Sequence, residues 1–326
     1  MICANNDSKG NMNCSDERIL VAINCIAYNH EPYIRECLEG FVMQKTNFKF
    51  VAIVHDDAST DKTADIIREY EAKYPEIIKP IYETENQYSK KDGSLRRIMN
   101  AAIDATGAKY VAMCEGDDYW ADPYKLQKQV DYMEAHEDCV MCAHASNWEV
   151  NGKVERNDIC HEEECDLTTD EVIREGGYYL PTASLIYRRV LNECWPSWRK
   201  KANVGDYPLQ ILGTLKGKLH YFPDIMSVYR YQASGSWTAA NLGRKDRNLD
   251  YFYVRTRWLL DLNEDTNHKF EKAICTALFN GGYGNLFASG RVGLRQYLYV
   301  MKNGYRTKKM NHFVKEMCSR YLGFSI

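Results

Sequence analysis

The sequence predicts an α/β protein: a Rossmann-like, mixed central sheet flanked by helices, with a C-terminal helical extension. Three observations carry this. Short apolar runs of strand length alternate with helix-period segments up to about residue 138. From Cys139 to about residue 240 strands and helices no longer alternate strictly, which marks a mixed sheet. Beyond Gln232 the patterns are helical. Alternating units imply parallel strands with both faces covered by helices.

In chain order, Ile19 to Ala27 is a near-continuous apolar run, the composition of a buried strand. Pro32 opens a helix with Ile34, Leu38, Phe41 and Val42 at helical spacing. Phe50 to Val54 is a second strand. The polar turn His55 to Asp61 leads to a helix carrying Ala64, Ile67, Tyr70 and Tyr74, ended by Pro75. Ile77 to Tyr82 is a third strand, Leu95 to Ala105 a helix closed by Gly107, and Lys109 to Cys114 a fourth strand. Asp122 and Pro123 supply a cap and first position for a helix with Leu126, Val130 and Met133 on one face. Strands follow at Val140 to Val150, Thr182 to Tyr187 and Leu219 to Phe222, with a helix over Val204 to Lys216. Helical patterns then cover Leu249 to Leu262, Phe270 to Phe279 and Leu294 to Met301.

Composition narrows the function. The chain has 326 residues, 45% apolar and 27% charged, which is ordinary globular usage and excludes disorder and collagen-like classes. A net charge of −3 disfavours nucleic acid as a partner. The 12 cysteines form no zinc-ribbon pattern. Cys139 and Cys142 read as buried strand thiols, and Cys160, His161 and Cys165 lack a fourth metal partner. Free thiols at this density suggest a reducing cytoplasm. No membrane-length apolar run occurs, and the polar first 17 residues read as a flexible tail without a signal peptide.

In parallel sheets ligands bind at the carboxyl ends of the strands. Here those ends are Tyr28 and Asn29, then Asp56 and Asp57, then Glu115, Asp117 and Asp118. Five carboxylates on one crevice repel unless a cation sits among them. Mg²⁺ takes one or two carboxylates and completes its shell with water and phosphate oxygens, so a phosphorylated ligand is implied. With neither G-x-G-x-x-G nor a P-loop, any diphosphate needs a metal and basic side chains, for which Lys90, Lys91, Arg96 and Arg97 are available. The competing reading of each acidic cluster is a solvated turn or a helix cap.

The runs A-Y-N-H-E-P-Y-I (27–34), H-D-D-A-S-T-D-K-T (55–63) and C-E-G-D-D-Y-W-A-D-P-Y-K-L-Q-K-Q-V (114–130) occur in order, each at a predicted strand end. In this succession the chain resembles the inverting family 2 glycosyltransferases of GT-A fold, over about residues 18–235. The resemblance implies a nucleotide-diphosphate sugar donor, a UDP-sugar being favoured. It also implies Mg²⁺ or Mn²⁺, and a glycan or lipid-linked acceptor in cell-surface polysaccharide synthesis. It implies a nucleotide-binding part at about 18–138, an acceptor part at about 139–240, and a helical region at 241–326. Position by position, Ala27, Tyr28, Glu31, Asp56 and Asp57 fall on the nucleotide side, and Arg97 of the basic segment is assigned there as a diphosphate contact. Glu115 replaces the first Asp of the family's D-x-D, and Asp117 fits its metal-binding Asp. Asp118 and Trp237 are expected near the donor sugar or a closing loop. Asp206, in G-D-Y-P-L, matches the general base, although an Asp before Tyr207-Pro208 also suits a helix cap. Gln232 stands where relatives often carry His, which puts one metal or phosphate contact in doubt.

Two other readings stay open. A phosphohydrolase with an Asp nucleophile would want D-x-D after the first strand, where Tyr28-Asn29 stands. A non-catalytic sugar-nucleotide-binding module would bind donor without turnover. The aromatic run Tyr251, Phe252, Tyr253 and Trp258 reads as helix packing, with contact to the inner face of a membrane as its alternative.

Overall fold

The apolar run Ile19–Ala27 forms β1, the strand around which the sheet is ordered. The structure is a computed structural model that describes residues 18–231, 233, 236 and 245–278. The expected tail at 1–17, Gln232, Trp237 and the helical pattern at 294–301 lie outside the described residues.

From β1 the chain runs through α1 (Ile34–Val42), β2 (Lys49–Asp56), α2 (Thr63–Lys73), β3 (Ile78–Tyr82), α3 (Ser94–Ala105) and β4 (Tyr110–Met113). Next come β5 (Tyr119–Trp120), α4 (Lys125–Ala135), β6 (Cys139–Val150), β7 (Lys153–Asp158) and β8 (Cys165–Leu167). The chain continues with α5 (Thr169–Glu175), β9 (Ile186–Arg188), α6 (Ser197–Lys201), α7 (Asp206–Lys216) and β10 (Lys218–Arg230). Two further helices, α8 (Lys245–Asp265) and α9 (Glu271–Ala277), complete the described part.

The sheet has the order β3-β2-β1-β4-β9-β6-β10-β5, with β7 on β6 and β8 on β10. Pairs β2/β3, β1/β2, β1/β4 and β6/β10 are parallel, and the others are antiparallel, so the sheet is mixed as expected. Strand pleating splits the core. On β1, Val21, Ile23, Cys25 and Ala27 face one layer with Ile34, Leu38 and Phe41 of α1. Ala22 faces the other layer, with Met99 and Ile103 of α3. That second layer also receives Trp258 of α8, fully buried and stacked on Trp198 at 6.2 Å. Its helix-packing reading therefore holds. No described helix is long and apolar enough to cross a membrane.

Three local expectations are corrected. The run Thr182 to Tyr187 is not all strand: Pro181 starts a 3-10 turn over Thr182–Ser184, closed by Ser184 N–H donating to Pro181 O at 2.9 Å, and β9 begins only at Ile186. The helix α4 is assigned from Lys125, later than expected, yet Asp122 makes the capping bond: one oxygen accepts from Tyr124 N–H at 2.7 Å and the other pairs with Lys128 at 2.8 Å. The short elements β5, β7, β8, α5 and α6 are absent from the sequence reading because two to seven residues are too few to show a period. The Cys139 and Cys142 thiols are buried and free, 3.7 Å apart.

Candidate active site

The strand order reverses at β1, which lies between β2 and β4, and in α/β sheets ligands bind at the carboxyl ends of strands at such a point. Register fixes what meets there. Ala27 pairs with Asp56, Asp57 N–H donates to Ala27 O at 2.9 Å, and Gly116 N–H donates to Ile26 O at 2.9 Å. The tips carrying Ala27-Tyr28, Asp56-Asp57 and Glu115 to Asp118 are therefore side by side.

The Glu115–Asp118 turn is packed from behind. A Cβ on Gly116 would sit 2.9 Å from both Ala27 Cβ and His30 Nδ1 and 3.1 Å from Ile34 Cδ1, so only glycine fits. The thiols of Cys37 and Cys114 reach Glu115 O at 3.5 and 3.7 Å. Glu115 follows β4 and is exposed; the protein packed around it, then the charges of Asp117 and Asp206, push its carboxyl upward. Asp117 is 6% exposed, and its buried Oδ1 has no hydrogen-bond partner. Asp118 is 1% exposed, and burial followed by the Asp117 charge raises its carboxyl well above the usual range. Its Oδ1 accepts the Arg230 N–H at 2.8 Å.

Arg230, the last residue of β10, braces this turn. It is 5% exposed. One Nη donates to Asp117 O at 2.9 Å, Nε donates to Glu149 at 3.1 Å, and the other Nη pairs with Glu36. The Tyr33 and Tyr119 rings flank the guanidinium at 5.2 and 4.5 Å. Strand β5 pairs with β10 through Ser227 and Val228, so the turn is tied to β10 by backbone as well. Sequence reasoning did not single out Arg230. Its signal was the Arg itself, since a buried arginine at a strand end requires several acceptors.

Asp206 opens α7 as its first helical residue rather than its cap; Gly205 holds the cap position, without a side-chain bond. Desolvation raises the Asp206 carboxyl, and the Thr182 hydroxyl, 3.4 Å from Oδ2, opposes that shift. The charges of Asp117 and Asp206 both act on Glu115. His30, also missed by the sequence reading, is 6% exposed; its Nδ1 has no partner. Burial lowers its pKa, against the charges of Asp117, Asp61 and Asp56.

The remaining predicted residues divide. Asp56 is buried, its Oδ1 without a partner, and burial raises its carboxyl. Asp57 is spent on the loop after β3: its oxygens accept the Gln87 and Tyr88 N–H groups at 2.6 and 3.0 Å. Glu31 accepts from Lys62 N–H at 3.2 Å, at the start of α2. Tyr28 is 38% exposed at the tip of β1. Arg97 is exposed and donates to Asp92 O at 2.7 Å, within its own loop.

A buried carboxylate oxygen without a donor, beside a second carboxylate, fits a divalent cation. Among the described residues no group of three His, Cys, Asp or Glu side chains could hold a metal alone. The residues present therefore fit a cation whose shell is completed by a ligand's oxygens and water.

Comparison with known proteins gives the family and the fold. The profile described as "Glycosyl transferase family 2" matches residues 23–195. An uncharacterized protein of Mycobacterium tuberculosis is 35% identical over 235 residues, 69% of this chain; the chain spans 62% of that relative's length. A Bacillus subtilis protein named for glycosyl transfer in teichuronic acid biosynthesis, TuaG, is 33% identical over 114 residues, 35% of this chain and 42% of its own. Residues 1–349 of Staphylococcus aureus TarS, solved with UDP-GlcNAc, superpose with a TM-score of 0.63 at 19% identity, covering 86% of this chain and 78% of that one. The Pyrobaculum calidifontis mannosyltransferase PcManGT, solved with GDP-Man and Mn²⁺, gives 0.51 at 14% identity over 88% and 80%. These two likenesses show the fold.

Proposed function

The chain belongs to glycosyl transferase family 2, and from that premise we propose that it transfers a sugar from a nucleotide-diphosphate donor to a hydroxyl of a glycan or lipid-linked acceptor, with inversion at the anomeric carbon. The observation that carries this reading is the buried, unpartnered carboxylate oxygen of Asp117 in the turn after β4, with the charge of Asp206 acting on the neighbouring Glu115. The donor's nucleotide lies toward Tyr28 and Asp56, its diphosphate toward Asp117. A UDP-sugar is favoured, since TarS was solved with UDP-GlcNAc. The acceptor belongs to polysaccharide synthesis, the setting of TuaG.

Asp117, with Glu115 beside it, would hold Mg²⁺ or Mn²⁺. Such a cation supplies Lewis-acid stabilisation of the charge that grows on the departing diphosphate. The protein's own residues do the rest. Asp206 accepts the proton of the acceptor hydroxyl as its oxygen bonds to the anomeric carbon. The bond from that carbon to the phosphate oxygen breaks on the opposite face, and its electron pair leaves with the nucleoside diphosphate. A desolvated carboxyl with a raised pKa is a stronger base than one in water, which suits this role. Arg230 keeps the Asp117–Asp118 turn from moving as charge develops.

The test is Asp206→Asn, assayed by nucleotide release and by titration with UDP and Mn²⁺. Loss of a positioned general base is expected to lower kcat by about 10²–10⁴ with UDP affinity unchanged. Comparable turnover would remove the base assignment. Nucleotide release at wild-type rate with no acceptor consumed would favour a hydrolase instead.

A further inference from the structure

We propose that Tyr178 is the acceptor platform of this site: its ring, held beside Asp206, stacks against a pyranose ring of the acceptor. The inference rests on the transferase reading above and narrows its acceptor to one that presents a sugar ring next to the hydroxyl that reacts.

Tyr178 is 61% exposed. A single exposed tyrosine would ordinarily need no explanation. The turn that carries this one is pinned on both sides and packs against the residue that follows the proposed base. It sits in a tight turn closed by Tyr179 N–H donating to Gly176 O at 3.1 Å. Gly176 adopts φ +86°, and a Cβ there would lie 3.1 Å from Arg255 Nη2. A Cβ on Gly177 would touch Tyr207 Cβ at 3.5 Å, so the turn lies against the residue that follows Asp206. Both flanks are pinned. Gln210 of α7 donates to Leu180 O at 3.0 Å, Tyr207 donates to Ile173 O at 2.7 Å, and Tyr179 donates to Glu171 at 2.7 Å. None of these bonds uses the Tyr178 side chain.

The surroundings of the ring match. Desolvation, then the charges of Tyr231 and Asp206, push the Tyr178 hydroxyl upward, against Arg255. Tyr231 stacks on Trp148 at 5.2 Å. Tyr251 feels the same Arg255, Asp206 and Tyr178. The turn that carries Tyr178 thus packs on the residue next to the carboxylate that must approach the acceptor oxygen to within about 3 Å. Pyranoses present an apolar C–H face beside their hydroxyls, and a rigid tyrosine offers a large flat contact at low entropic cost. A glycerol or lipid phosphate acceptor has no such face and would leave the ring unused.

The experiment is saturation-transfer NMR on the full chain with UDP and Mn²⁺ present. The probes are methyl β-glucopyranoside, methyl N-acetyl-β-glucosaminide, methyl β-galactopyranoside and, as the control without a ring, glycerol 3-phosphate. The expected result is transfer to the C–H protons of at least one pyranoside in the wild type. That signal is retained in Tyr178→Phe and Tyr178→Trp and falls about fivefold in Tyr178→Ala, the scale of one aromatic stack. The UDP signal stays constant throughout. Equal pyranoside signals in wild type and Tyr178→Ala would overturn the proposal, as would no pyranoside signal in the wild type or preference for glycerol 3-phosphate. Absence of a UDP signal would count against the transferase reading instead, leaving the pyranoside comparison to decide the platform by itself.

Discussion

Lys125 offers a quantitative check on how dry the protein is behind the acidic turn. Its side chain is 0% exposed; Nζ donates to Gln129 Oε1 at 2.8 Å and lies 4.3 Å from the Trp120 ring centroid. Desolvation lowers its pKa from 10.5 to about 7. In the unfolded chain the amine keeps its proton up to about pH 10.4. Between these values the unfolded state binds one more proton than the folded state, so stability rises with pH across the window. Each unit contributes about 1.4 kcal/mol, hence about 4 kcal/mol between pH 7 and 10. Lys125→Met removes the titrating group while keeping a long apolar chain. The assay is urea unfolding of both proteins from pH 6 to 10. The wild type should gain about 4 kcal/mol on the variant over the upper three units, and little below pH 7. Neighbouring groups do not confuse the window: burial pushes His144 well below 6.5 and raises the Cys114 and Cys142 thiols above 9.0. A difference that stays flat would show that Trp120 and Gln129 suffice to keep the amine charged, and would refute the argument.

Three further outcomes follow from the site. Arg230→Met strands Glu149 and frees the Asp117 carbonyl, so a loss of about 3–5 kcal/mol is expected in thermal or urea unfolding; Arg230→Lys should recover little, since one ammonium cannot reproduce the fork. Gly116→Ala places a methyl against Ala27, His30 and Ile34 and should cost about 1–3 kcal/mol, with weaker Mn²⁺-dependent UDP binding by calorimetry. The acid limb of the kcat/KM profile should lie above the ordinary carboxylate range, because Asp206 must be ionised and its pKa is raised; Thr182→Val, which removes a bond favouring the ionised form, should move that limb higher still.

Much of this was legible in the sequence where residues act through their neighbours in the chain. The run Ile19 to Ala27 could bury only as a strand, and the acids after the β2 and β4 strands had to meet once β1 lay between them. Asp206 was found through its surrounding G-D-Y-P-L run. The rest depends on partners remote in sequence. Asp57 reads as a ligand contact until the amides of Gln87 and Tyr88, some 30 residues away, are seen to occupy it. Arg230 acquires meaning only when Glu36, Asp117 and Glu149 converge on it, across as many as 194 positions. Tyr178 is one aromatic among many until Gly177 is seen to rest on Tyr207. No period or local spacing encodes such meetings.

The helix that begins with Asp206 runs outward for 11 residues, and after Gly217 the chain returns through the 13 residues of β10 to Arg230. The reach from proton acceptor to acidic turn is thus gauged by one out-and-back excursion. Extra residues in the β6–β7 hairpin would leave that reach alone. One added residue within β10 would slide its two ends by a strand step of about 3.3 Å and turn every later side chain to the opposite face. Insertions at the rim therefore leave the site's dimensions unchanged, whereas a change in the length of that return path does not.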